Sequence, residues 1–169
     1  MKILLLGFSL LFTAGGAAAQ GVDHAPFDAL LRANVKNGVV NYPGFQNDPS
    51  FKRYVEALAK PGQPDDRAAQ LVYYINAYNA LAIEGILQGL SPSTLFGRAR
   101  YFKFKEWPLN GKNITLYDLE HKIIRPLGEP RIHFAIVCAS KSCPALRPEA
   151  YAVERLDRAS LLIGLAQAV

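Results

Sequence analysis

The chain has 169 residues, half of them apolar and a fifth charged, a composition that excludes a disordered or collagen-like polymer. Its net charge of +5 is dispersed, densest at "GRARYFKFKEW", and comes without the aromatic platform or basic helix of a nucleic-acid binder. Two cysteines separated by four residues exclude a structural zinc site, which takes four ligands in closer pairs.

The opening "MKILLLGFSLLFTAGGAAAQ" reads as a secretory leader. Lys2 supplies the positive start, Ile3 to Thr13 the apolar run, and Ala17-Ala18-Ala19 the small-residue cleavage site. The run is shorter than the roughly 20 residues that a bilayer demands. Removal of residues 1–19 is expected, with a periplasmic or secreted mature protein in a setting where disulfides persist. No later segment is long and apolar enough to span a membrane. What remains, taken as 25–169, suits one domain with a hydrophobic core.

Phe27, Leu30, Leu31 and Val35 recur at helical spacing, until Asn37-Gly38 stops the helix and "VVNY" follows as an extended piece. In "DPSFKRYVEALAK", Asp48 is the expected N-cap and Pro49 fits the first turn, with Phe51, Val55 and Leu58 on one face. The longest predicted helix runs from Asp65 to Leu90 and is apolar nearly all round, so it belongs at the centre of the core. Asn76 and Asn79 lie inside that apolar surface and need partners there. Either they tie the helix to neighbouring backbone, or one of them lines a polar site.

Alternation at Phe102, Phe104, Ile114 and Leu116 around Asn110-Gly111 predicts a hairpin over about 101–116. Thr115 and Asp118 open a helix carrying Leu116, Leu119 and Ile123, which Pro126 and Gly128 end. "PRIHFAIVC" predicts a buried strand over about 131–138, and "CPALRPEAYAVERL" leads to a last helix. The fold class is therefore α+β, with helices around a small antiparallel sheet that holds the hairpin and the buried strand.

Cys138 and Cys143 carry the chemical question. They suit a short disulfide in an exported protein, or one of them is a thiol nucleophile that needs a base and an orienting group. His24 is a weak base candidate near the mature N-terminus. Strand alternation turns His133 away from Cys138, which makes it a structural histidine. His121 is the remaining candidate, with Glu120, Asn76 or Asn79 as the group that orients it. The small-residue turn "CASKSC" offers backbone N–H groups to an anionic intermediate. There is no glycine-rich phosphate loop, no His-Glu-x-x-His and no nucleophile elbow, so neither cofactor nor metal is expected.

Three segments in order, "NGVVNYPGF", "QLVYYINAYNAL" and "NITLYDLEHKIIRPLGEPRIHFAIVCASKSCPALRPEAY", resemble the DUF547 family over about residues 34 to 156. The resemblance rests on Ile75 to Leu81, on Glu120 to Arg125 with Ile124 in a leucine place, and on Pro130 to Pro144. It implies family membership and no particular activity. The family pattern continues past a last helix, whereas here the uncharged "SLLIGLAQAV" closes the chain, so the expectation is a truncated or frame-shifted product or an unusual apolar tail.

Two functional readings follow. In the first, the protein is a thiol-dependent hydrolase or transferase acting on an envelope peptide, amide or ester bond. Cys138 is its nucleophile, His121 its base, Glu120 or Asn76 the orienting group, and Cys143 the substitute nucleophile. In the second, it is a non-catalytic envelope binding or scaffolding domain with a Cys138–Cys143 disulfide. In both readings the partner is an envelope substrate or protein, with no nucleic acid.

Overall fold

The computed structural model describes residues 21–137 and 144–156. The expected leader, Cys138, Cys143 and the chain after Leu156 lie outside the described residues.

Helix α1 (Ala25–Asn34) turns Phe27, Leu30 and Leu31 inward, as their spacing requires. Val35 then enters a ribbon of β1 (Val35–Lys36) and β2 (Val39–Val40), closed by Asn37 at φ 50 and Gly38 at φ 75. Two consecutive positive φ values make a type I′ turn, for which Asn-Gly is the favoured pair. The dipeptide thus ends the helix and also folds the chain back on itself. After α2 (Tyr42–Asn47) comes α3 (Pro49–Ala59), capped as expected by the Asp48 carboxylate, which accepts from the Ser50 N–H at 2.8 Å.

Helix α4 (Arg67–Leu87) is the central element, capped by Asp66, and it buries fourteen residues around its circumference. A helix that is apolar all round needs neighbours on every side. Helices α2 and α3 cover one flank, and the segment Leu119–Ile124 covers another. Phe27 stacks on Tyr54 with ring centroids 4.9 Å apart, joining α1 to α3 under that core.

The hairpin is shorter than the sequence predicted. Strands β3 (Glu106–Leu109) and β4 (Lys112–Thr115) pair antiparallel, with Trp107 opposite Ile114, through a turn with Asn110 at φ 50 and Gly111 at φ 74. Residues 101–104 are helical instead, because α5 (Leu95–Ala99) runs on into a π-helical turn, Arg100–Phe104. Tyr101 fixes that choice: it is fully buried and its hydroxyl donates to the Ala82 carbonyl at 2.6 Å.

The predicted buried strand over 131–138 is a correction. Pro130–Phe134 is a 3-10 helix, and Ala135 and Ile136 continue its turn by donating to the Ile132 carbonyl. Pro130 presets the helical φ, and the Glu129 carboxylate caps the Arg131 N–H at 3.0 Å. Ile132, Ala135 and Ile136 are buried at i, i+3 and i+4, so the apolar run was helical in period. The alternation argument for His133 falls with the strand, and that residue is exposed. His24 is also not a loose terminal residue, since its Nδ1 meets the Tyr54 hydroxyl at 2.7 Å. Beyond residue 143, the only helical turn among the described residues is Val153–Arg155. The fold is α+β, with helices carrying the core and two small antiparallel ribbons at its edges.

Candidate functional site

Three elements enclose a groove of about 340 Å³. Tyr78 of α4 forms its floor, and Leu95, Ala99 and Phe102 on the α5–π segment form one wall. Tyr117 and Glu120 form the other, while Arg98 and Lys103 stand at the edge. The second wall starts at Thr115, whose hydroxyl accepts from the Asp118 N–H at 3.0 Å and caps α6 (Leu116–Asp118). The chain continues as a π-helical segment, Leu119–Ile124, where the Arg125 N–H reaches back five residues to the Glu120 carbonyl. Along this segment Glu120 and His121 are half-buried, while Leu119 and Ile124 stay in the core.

His121 leans back onto Tyr117. Its Nδ1 lies 2.9 Å from the Tyr117 carbonyl oxygen, and the two rings stack with centroids 4.0 Å apart. A carbonyl only accepts, so Nδ1 carries a proton in this contact, and in the neutral imidazole the lone pair is then on Nε2. The imidazole is held by the Tyr117 backbone, and among the described residues no hydrogen bond joins it to Glu120 or Asn76. Glu120 is held by Arg125, whose Nη2 and Nε donate to one carboxylate oxygen at 2.6 and 3.1 Å. The Lys103 ammonium sits 4.9 Å over the Tyr117 ring.

At the groove floor Tyr78 is 2% exposed, and burial pushes its pKa well up, with the nearby Glu120 charge adding to the shift. Its hydroxyl thus stays protonated at any working pH and remains a hydrogen-bond donor.

Asn76 and Asn79 sit one turn apart on α4, buried to 1% and 2%. Asn76 donates to the Tyr151 carbonyl and accepts from the Tyr151 N–H, both at 2.9 Å. Asn79 donates to the Ala135 carbonyl at 2.9 Å and accepts from the Val137 N–H at 3.0 Å. Each amide pairs with a stretch of loop backbone as a neighbouring strand would. Both ends of the Asn76 amide are thus engaged by the Tyr151 backbone.

Of the five residues singled out in the sequence, Glu120 lines the groove, and His121 stacks on Tyr117, which also lines it. Asn76 is committed beneath Tyr151, and Cys138 and Cys143 lie outside the described residues. Val137, which precedes Cys138, is held on α4 by Asn79, the residue next to Tyr78. Sequence reading missed Tyr117, although its place four residues before His121 on a predicted helix was a usable signal. It also missed Tyr78, which looked like one more core side chain. Among the described residues, no three His, Cys, Asp or Glu side chains group as a metal site.

Comparison with known families finds one match: the profile described as "Protein of unknown function, DUF547" fits residues 63–160. No curated protein and no solved structure matches the chain.

Proposed function

The chain belongs to the DUF547 family, and we propose that this member is exported and acts as a thiol-dependent hydrolase or transferase on envelope peptide, amide or ester bonds. The observation that supports this reading is His121, whose Nδ1 is tied to the Tyr117 carbonyl and whose ring stacks on Tyr117, a residue of the groove wall, so that in the neutral ring Nε2 is the base. Asn79 ties Val137, the residue before Cys138, to the helix that also carries Tyr78, and this favours Cys138 over Cys143 as its partner. In this scheme Nε2 takes the Cys138 thiol proton, and the thiolate adds to the substrate carbonyl. The tetrahedral oxyanion then collapses, and the leaving amine or alcohol carries off the proton from Nε2. Water, or an acceptor nucleophile, cleaves the resulting thioester and restores the thiol. Tyr117 orients the base, Glu120 and Tyr78 supply polar contacts in the groove, and Cys143 is the substitute nucleophile.

A second reading, a non-catalytic envelope domain with a Cys138–Cys143 disulfide, is favoured by one observation. Both buried asparagines are spent on backbone and neither is turned toward a ligand.

p-Nitrophenyl acetate separates the two. The enzyme reading predicts a stoichiometric burst, an acetyl group on Cys138 by mass spectrometry, no burst in Cys138→Ser, and a loss of about 100-fold or more in His121→Ala. No acetylation at either cysteine, with Cys138→Ser lowering only the unfolding midpoint, would leave the binding domain.

A further inference from the structure

Leu95–Phe104 is a ten-residue helix, α5 and its π extension, capped by Thr94 and anchored to the core through Tyr101. Tyr101 is the buried residue of this stretch, whereas Leu95, Phe96, Arg98, Arg100, Lys103 and Phe104 are exposed. Three large apolar side chains of this short stretch stand in solvent: Leu95 is 86% exposed, Phe96 74% and Phe104 66%. Single exposed apolar residues are ordinary, but three within ten residues form a patch. Arg98, Arg100, Lys103 and Lys105 surround it. None of the four makes an ion pair with a carboxylate among the described residues, and Glu120, the acid of the adjoining groove, already pairs with Arg125. Exposed apolar side chains interleaved with unneutralised cations are the composition of a helix that lies in a membrane interface.

We infer that Leu95–Phe104 docks the protein onto the surface of an anionic lipid bilayer. Leu95, Phe96 and Phe104 enter the headgroup boundary, and the four cations meet lipid phosphates. The charge complementarity selects the bilayer: Lys103 and Lys105 already lie over the Tyr117 and Trp107 rings, but an apolar protein partner would leave Arg98 and Arg100 without counterparts. This contact is peripheral, since no described helix is long and apolar enough to cross a membrane. Leu95, Arg98 and Lys103 also border the groove, so docking brings its mouth to the lipid surface. The inference stands independently of the thiol chemistry.

The test is co-sedimentation of the purified protein with vesicles of phosphatidylcholine alone or with a third of phosphatidylglycerol. Binding to the anionic vesicles is expected to exceed binding to the neutral ones and to fall steeply as salt rises from about 0.05 to 0.5 M. Arg98→Gln with Arg100→Gln should weaken it roughly 25-fold, at about fivefold per cation. The triple change Leu95→Ser, Phe96→Ser, Phe104→Ser should abolish it while leaving the far-UV circular dichroism unchanged. Cys138→Ser should bind like the unaltered protein, which keeps this result separate from the fate of the thiol reading. Equal binding by wild type and variants, or no preference for anionic vesicles, would overturn the inference. So would full competition by millimolar glycerol phosphate, which assigns the cations to a free anion. Self-association that the triple change removes would assign the face to a second copy of the chain.

Discussion

Asn76 and Asn79 show how single side chains hold loops that the secondary structure leaves unpaired. Each amide satisfies one N–H and one C=O of an irregular segment against the middle of α4. Asn79→Ala strands the Val137 N–H and the Ala135 carbonyl in the core, and should cost about 2–4 kcal/mol in urea unfolding. Asn79→Asp should be as severe, because the carboxylate cannot donate to Ala135 and would be buried. The need for partners was legible from the sequence, since two amides sat inside an apolar helix. Which backbone they would meet was not, because those contacts are 56 to 75 residues away.

His24 gives a pH signature at the same scale. Burial beside Tyr54 lowers its pKa from 6.5 to about 4, against a smaller raising effect of Asp23. Between those values the unfolded chain binds a proton that the folded chain does not, so stability falls as pH drops from 6.5 toward 4. The loss should be on the order of 2 kcal/mol, and His24→Phe should flatten it. Glu129 acts in a lower window. Hydrogen bonds from Arg131 hold its carboxyl at about 2, so its contribution is present above 4.5 and is lost as pH falls through 2. Urea midpoints measured every half pH unit would resolve the two slopes.

Among the elements, the junction of α4 with the α5–π segment shapes the groove. A Cβ on Gly85 would lie 2.8 Å from Cε2 of Tyr101, a fully buried ring with no room to retreat. Helix propensity alone would make Gly85→Ala favourable by about 1 kcal/mol. Overpacking costs about 1–3 kcal/mol, so the net change should be a destabilisation, seen as a lower thermal midpoint. The opposite sign would show that Tyr101 is free to move. The β3–β4 turn is fastened in a similar way. The Asn110 side chain accepts from the Gly62 N–H and donates to Gln63, and the Asn110 and Gly111 N–H groups donate to Leu58 and Ala59. Asn110→Ala should therefore cost about 1–3 kcal/mol, more than an exposed hairpin turn would.

Local signals were reliable for these elements where chemistry fixes backbone, as at Asn110-Gly111, Asp48 and Thr115. They failed where period was ambiguous. Phe102 and Phe104 alternate like a strand, but Tyr101 is claimed by Ala82 and keeps the segment helical. Ile132, Ala135 and Ile136 fit both a short buried strand and one helical turn, and Pro130 with Glu129 decided for the turn.

Across the whole molecule, α4 carries both the core and the groove floor, so stability and the candidate chemistry share one element. Composition and apolar period placed that helix at the centre. They also marked His121 and Glu120, but not the Tyr117 carbonyl that fixes the imidazole, because a backbone acceptor leaves no trace in residue type. The central claim is that His121 serves as base to Cys138. Its most direct test is iodoacetamide alkylation of the native, unreduced protein across pH, read at each cysteine by mass spectrometry. The account predicts that Cys138 reacts well below the unperturbed thiol pKa of about 8.5, and that His121→Ala moves the inflection back up. Two results would contradict it: silence at both cysteines until a reductant is added, or a profile for Cys138 that His121→Ala leaves in place.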